Sequence, residues 1–306
     1  MLSQDDPDRQ EMSGMLELCW HGGASVSLRV GRSDGPGTAR LQPLELVVDP
    51  AFSKAGDYGP WFVPSPHAPS VRDYLQSHDP DYVLITHGHF DHFDLETVRK
   101  LAAGTDALFA GSADVCSTLE AVLGLPRGRT IEMRAGRTIL LGGGPKAVVE
   151  VTPVEGEHWV TGDEGRAAAA RFAGRPDRYG VMPCGGPMLG YIAGAEGHTV
   201  FFSGDTHLSA IPRREVDVAV LSVGGLLADP RTKELTKEIL DEAEAVRAAD
   251  EYLAAEVLVP IHWDHDVFPE KPRMSVIASH LEHASRMHSK VPKLVVPPYG
   301  EWVEVA

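Results

Sequence analysis

The stretch His87-Gly88-His89-Phe90-Asp91-His92 constrains this chain more than any other. It follows Asp81-Tyr82-Val83-Leu84-Ile85-Thr86, an apolar run with strand character. It precedes Phe93-Asp94-Leu95-Glu96-Thr97-Val98, which reads as the start of a helix. A strand-to-helix loop lets side chains converge without burying unpaired backbone. Three imidazoles and one carboxylate in six residues exceed what one tetrahedral ion takes from a single loop. Two ions side by side is the reading that uses them all. A solvated His-rich turn is the bland alternative, and the spacing H-x-H-x-D-H directly after a strand argues against it.

A chain of 306 residues can bury a core as one large α/β domain or two small ones. The formal net charge of −16, from 28 Lys+Arg against 44 Asp+Glu, disfavours a broad contact with nucleic acid or an anionic membrane. Cys19, Cys116 and Cys184 are odd in number, widely spaced and outside any C-x-x-C pair. Free thiols in a reducing compartment are therefore expected. The polar, acidic N-terminus has no apolar export segment, and no stretch is long and apolar enough for a membrane anchor. A cytoplasmic protein is expected.

Along the chain, residues 1–14 read as a disordered tail and 15–306 as one domain of mixed strands and helices. Leu16–Trp20 and Ser25–Val30 alternate around His21-Gly22-Gly23, the pattern of a hairpin with a glycine turn. Residues 52–69 form a loop insertion rich in Pro, Gly and aromatics, with Trp61 a candidate substrate contact. Helical spacing marks 92–102, 113–123 (N-cap Ser112, Gly124 just past the end), 231–255 and 274–287. The segment 231–255 has the most regular apolar face: Leu235, Ile239, Ala243, Val246 and Leu253.

A dinuclear site needs ligands from elsewhere, and three stand just beyond apolar strands. His158 follows Val151-Thr152-Pro153-Val154, Asp205 follows Val200-Phe201-Phe202-Ser203-Gly204, and His262 follows Leu258-Val259-Pro260-Ile261. Ligands repeated at strand exits are what a site along one sheet edge requires. With the H-x-H-x-D-H loop, this set resembles the metallo-β-lactamase superfamily from about residue 15 to the C-terminus. The resemblance implies an α+β fold, a four-layer αββα sandwich, with two divalent ions at one edge. Carried over, His87, His89 and His158 hold the first ion, Asp91, His92 and His262 the second, and Asp205 bridges them. Asp49 matches the family's first motif and is expected behind the ligands, bonded to His21 or to the metal loop.

The features His158-Trp159, Gly190-Tyr191-Ile192, Ser203-Gly204-Asp205-Thr206 and Pro260-Ile261-His262-Trp263 are most similar to the branch with ascorbate-6-phosphate lactonase and N-acyl-phosphatidylethanolamine phospholipase D type enzymes. The implied activity is hydrolysis of an ester, lactone, amide or phosphodiester by a hydroxide held between the ions. Asp91 and Asp205 would orient it and balance charge. Nitrogen and oxygen ligands suit Zn2+ first, with Mn2+ or Fe admissible, so a di-iron oxidase or oxygenase is the alternative. His207 and His265 are candidates for leaving-group protonation by proximity alone, and a solvated role is favoured for both. The expected partner is a small anionic or polar substrate, and a homo-oligomer is compatible with the sequence. A second insertion-like stretch, 161–187, departs from the family. Its Arg166, Arg171, Arg175 and Arg178, with Trp159, are candidate substrate contacts, because a guanidinium fork binds two oxygens at once.

Overall fold

Alternation along the first strand sets the layering. In β1 (Gly14–Gly22), Leu16, Leu18 and Trp20 enter one buried core, while Cys19 and His21 belong to the opposite face. β2 (Ser25–Arg32) and β3 (Leu44–Val48) repeat the pattern with Val26, Leu28 and Val30, and with Leu44, Leu46 and Val48. The computed structural model describes residues 14–32, 42–54, 57, 64–158, 186–228, 235–237, 239–264, 273–288 and 290–306. The expected tail lies outside these residues except for Gly14, which opens β1.

Two seven-stranded sheets result. The first runs β16 (Trp302–Glu304), β1, β2, β3, β4 (Tyr82–Leu84), β5 (Leu108–Gly111) and β6 (Thr130–Glu132). The second runs β15 (Lys293–Leu294), β14 (Val257–Ile261), β11 (Val218–Ser222), β10 (His198–Phe202), β9 (Leu189–Ala195), β8 (Val148–Glu155) and β7 (Ile139–Gly142). Their facing sides share one core, in which Leu18, Leu28 and Leu46 meet Val149, Tyr191, Phe202 and Val220. Trp20 is fully buried there and donates its indole N–H to Gly23 O at 2.8 Å. Removing a side chain of this kind costs about 3–5 kcal/mol.

Helices cover the outer faces. α1 (Val71–Tyr74), α2 (Leu95–Gly104) and α3 (Ala113–Leu123) pack Tyr74, Val98, Leu101 and Leu119 on Val47, Val83 and Phe109 of the first sheet. Ser112 caps α3 by accepting from Val115 N, and Gly124 leaves it at φ +69°, as the sequence leads one to expect. α4 (Glu242–Arg247), its π-helical continuation 248–252 and α5 (Met274–Ala284) cover the second sheet through Val246, Ala249, Ile277 and Leu281. The molecule is an αββα sandwich. Among the described residues no helix is long and apolar enough to cross a membrane.

One expected helix is shorter than its periodicity suggests. Leu235–Lys237 forms β13, antiparallel to β12 (Leu226–Ala228), instead of part of a helix over 231–255. The helix starts only after Asp241, whose side chain accepts from Glu244 N while the Glu244 side chain returns to Asp241 N. That reciprocal cap fixes the start at Glu242, seven residues beyond Leu235.

β3, β4, β5 and β6 run parallel, as do β10, β11, β14 and β15. The carboxyl ends of β3, β4, β8, β10 and β14 lead to Asp49, His87–His92, His158, Asp205 and His262 respectively. Ligand sites in sheets of this kind gather at the carboxyl ends of the strands.

Candidate metal centre

The loop after β4 is held from behind. Asp94 caps α2 at Glu96 N and Thr97 N, and also accepts from Ser53 N, Ser53 Oγ and Phe52 N at 2.8–3.1 Å. The segment after β3 is thereby tied to the His-rich loop. Asp49 sits at φ +48°, a conformation non-glycine residues rarely adopt. Its carboxylate accepts from Thr86 N at 2.7 Å, from Thr86 Oγ1 at 2.6 Å and from His92 Nδ1 at 2.7 Å. These bonds assign protons. His92 donates from Nδ1 to Asp49, which leaves Nε2 as the nitrogen that faces Asp205. Thr86 Oγ1, having donated to Asp49, accepts from His87 Nδ1 at 2.9 Å, so His87 Nε2 also presents a lone pair.

Two donor sets meet in front of this support. Ligand atoms of His87, His89 and His158 lie within 4.8 Å of one another, as do those of Asp91, His92, Asp205 and His262. His89 Nδ1 is 2.9 Å from His87 Nε2 and 3.0 Å from His158 Nε2. Three ring nitrogens face a common point, and one proton can satisfy only one of these contacts. In the other set, Asp91 Oδ2 is 3.2 Å from His262 Nε2, and Asp205 Oδ2 is 3.2 Å from His92 Nε2. Asp205 Oδ2 also lies 3.8 Å from His262 Nε2 and 3.8 Å from His158 Nε2, so it touches both sets. Among the described residues, His89 Nε2 and Asp205 Oδ1 are buried without a hydrogen-bond partner. Such groups are costly unless something else satisfies them, and a pair of cations fits this donor set.

The electrostatics of the two sets differ. Burial, then neighbouring imidazoles, hold His87 well below the usual histidine range and His89 down at about 3. Both are neutral lone-pair donors. Burial opposes the charged form of His92 and His262 as well, but the carboxylates of Asp205 and Asp91 outweigh it and raise both. Burial also works against ionised Asp91 and Asp205, yet His92 and His262 pull both well below the carboxylate range.

Backbone detail completes the placement. His262 sits at φ +70°, held by donation from its N–H to Gly23 O at 3.0 Å. Asp264, two residues on, accepts from Gly23 N at 3.0 Å and from Ser65 Oγ, which pins the turn to the β1–β2 hairpin. Gly204 (φ +56°) lies against Thr86, where a Cβ would meet Thr86 Cβ at 2.9 Å, so Asp205 can come close behind the His loop.

The structure thus brings together His87, His89, Asp91, His92, His158, Asp205 and His262, with Asp49 behind His92. His21 is elsewhere: its ring faces Ser27 and Cys19 on the outer face of β1 and makes no bond to Asp49. Strand alternation explains this, since His21 and the core-facing Trp20 leave β1 on opposite sides. His207 gives its backbone N–H to Glu157 O, and its ring is not in either donor set. Trp61, Trp159, Arg166, Arg171, Arg175, Arg178 and His265 lie outside the described residues. A cleft of about 410 Å³ opens beside His158, lined in part by Glu155, Glu157, Gly186, Met188 and Leu189. Sequence reasoning missed Thr86, which orients both Asp49 and His87. Its place directly before the motif was the available signal.

An αββα sandwich with His/Asp sets at the strand exits defines the metallo-β-lactamase class. A family model described as the Beta-lactamase superfamily domain matches residues 45–263, well over half of the chain. The chain belongs to the metallo-β-lactamase superfamily. A metal-dependent hydrolase of Staphylococcus aureus is 29% identical over 254 residues, covering 81% of this chain and 86% of the relative. Among solved structures, Igni18, a metallo hydrolase of Ignicoccus hospitalis, superposes with a TM-score of 0.62 at 20% identity. The match covers 95% of this chain and 98% of that one. A possible metal-dependent hydrolase of Veillonella parvula gives a TM-score of 0.61 at 17% identity, over 95% and 99% of the two chains. These structural likenesses speak to the fold.

Proposed function

We propose that this metal-dependent hydrolase cleaves an ester, lactone, amide or phosphodiester of a small polar or anionic substrate at a centre of two divalent ions. Zn2+ is the first choice for donors that are all nitrogen and oxygen, with Mn2+ or Fe admissible. His87, His89 and His158 would hold one ion, Asp91, His92 and His262 the other, with Asp205 shared. The observation that carries this reading is the position of Asp205 Oδ2, within 3.8 Å of ring nitrogens from both sets. When bound, such a pair supplies Lewis acidity and lowers the pKa of a water toward neutrality.

The chain's own groups do the rest. Asp49 and Thr86 keep the ring protons of His92 and His87 on the rear nitrogens, so the forward nitrogens stay free to bind. Asp205 Oδ1, buried and without a partner among the described residues, can accept a hydrogen from the attacking water and set its direction. The carboxylates of Asp91 and Asp205 offset the positive charge of the centre. Arg166, Arg171, Arg175 and Arg178 would grip an anionic part of the substrate.

The compartment we favour is the cytoplasm, supported by Cys19 and Cys116 being free thiols. Small-molecule turnover without nucleic acid or membrane partners agrees with the charge of −16. The di-iron redox alternative is not favoured, because the relatives reported above are hydrolases by name. The test is elemental analysis joined to a panel of esters, lactones and phosphodiesters. At least two ions per chain are expected, with hydrolysis lost on chelation and restored by Zn2+ or Mn2+. Fewer than two ions, or turnover indifferent to chelation, would sink the reading.

A further inference from the structure

The catalytic centre contains no sulfur, yet a second group of metal-binding side chains does. Cys19 and His21 stand two apart on β1 and so share its outer face. His78, from the turn after α1, comes down over them. Sγ of Cys19 and one ring nitrogen each of His21 and His78 lie within 4.8 Å of one another. All three residues are buried, at 0%, 2% and 7% exposure. The group shares no residue with the donor sets of the catalytic centre.

We propose that Cys19, His21 and His78 form a separate, structural site for one borderline divalent ion of the Zn2+ type. Zn–S and Zn–N bonds of about 2.3 and 2.0 Å put ligand atoms about 3.3–3.8 Å apart in a tetrahedron. Cys19 Sγ and His21 Nδ1 are already 3.8 Å apart. As a thiol-to-imidazole hydrogen bond that contact is long and weak, so an ion replaces little. The two imidazole rings meet edge to face, with planes at 85° and centroids 4.8 Å apart.

The surroundings resemble the support behind a ligand more than a chance contact. His21 Nε2 is 2.9 Å from Ser27 Oγ, which fixes the ring and frees Nδ1 to face the sulfur. Ser27 Oγ is in turn 3.3 Å from Tyr74 OH. His78 Nδ1 is 2.7 Å from Glu45 Oε1, the carboxylate–imidazole pairing that orients metal-bound histidines. The His78 ring also stacks on Tyr74 at 4.4 Å. A dication with one thiolate leaves one positive charge, and Glu45, which also pairs with Arg29 at 3.6 Å, stands beside it. α1 lies above the three buried ligands, which leave the fourth position of a tetrahedral ion to a water or a neighbouring oxygen.

Cobalt separates this site from the catalytic one, because only a sulfur ligand gives a thiolate-to-metal charge-transfer band. Metal-free protein fully reloaded with Co2+ should show that band at the intensity of one thiolate-bound ion per chain. Cys19→Ser should abolish it and lower the bound metal by one ion, while Cys116→Ser and Cys184→Ser keep it. Asp205→Ala, which damages the nitrogen–oxygen centre, should also keep it, so the two readings can fail independently. Should Cys19→Ser not fold, His78→Gln is read instead, and a shifted or lost band is expected. Cobalt-loaded wild type without the band, or a band that Cys19→Ser or His78→Gln leaves unchanged, overturns the proposal.

Discussion

Two buried histidine clusters in this molecule make opposite use of the same side chain. At the edge where strand ends converge, seven His and Asp residues face one another with more donors than their mutual hydrogen bonds can satisfy. Under α1, on the flat of the first sheet, His21 and His78 each reach a hydroxyl, a carboxylate or a thiol. The edge cluster adjoins a cleft, and the face cluster lies beneath a helix. Position in the sandwich, more than residue type, separates a reactive site from a supporting one.

The most damaging way to probe this contrast is Asp205→Ala, since Asp205 Oδ2 lies within 3.8 Å of ring nitrogens from both edge sets. We expect kcat/KM on any substrate found in the panel to fall on the order of 10³-fold or more, through lost stabilisation of developing charge. The melting temperature of the metal-free protein should hardly move. A variant that keeps wild-type turnover would remove Asp205 from the chemistry. Asp49→Asn is subtler. It weakens the acceptor that holds the His92 Nδ1 proton, and changes of this kind lower metal affinity or activity about 10–100-fold. Titrating Zn2+ against a competing chelator measures it, and unchanged affinity would show that Thr86 alone suffices.

Cys19→Ser addresses the covered cluster. Turnover should stay within about twofold while the metal-loaded protein melts a few degrees lower, about the shift that 1 kcal/mol causes in a chain of this size. Equal losses of activity and stability would erase the distinction between edge and face. The smallest effect concerns a thiol in neither cluster. Burial, together with Glu132 and Glu120, pushes Cys116 up to about 11 from 9.0, although backbone hydrogen bonding at Gly111 and Ile131 works the other way. A group raised on folding stabilises fully below pH 9 and loses that contribution as pH rises toward 11. Thermal scans from pH 8 to 11 should therefore fall less steeply in Cys116→Ala than in wild type. The native thiol should also resist alkylation at pH 8; ready labelling there would contradict the burial argument.

The edge cluster was readable in the sequence because each ligand announces itself locally, as a His or Asp directly after an apolar run. Strand exits on one side of a sandwich need no contact map to be linked. The face cluster gave no such sign. Cys19 and His21 sit inside an ordinary alternating strand, and His78 joins them only through the packing of α1 on β1 and β3. The helix expected over 231–255 failed for a related reason. Periodicity recorded apolar positions on both sides of Asp241, but the reciprocal cap with Glu244 starts the helix there, and Leu235 pairs with Ala228 instead.

The last strand carries a consequence for biosynthesis. β16 lies beside β1, joining residues 302–304 to 17–19, so the outermost place in the first sheet is filled by almost the last residues of this sequence. While a ribosome works through the second sheet, the outer edge of β1 waits with its amide and carbonyl groups unmatched. Bare edges invite pairing with other chains. The nascent protein therefore carries an adhesive strip until Trp302, Val303 and Glu304 emerge, and premature termination just short of them would leave it permanently exposed.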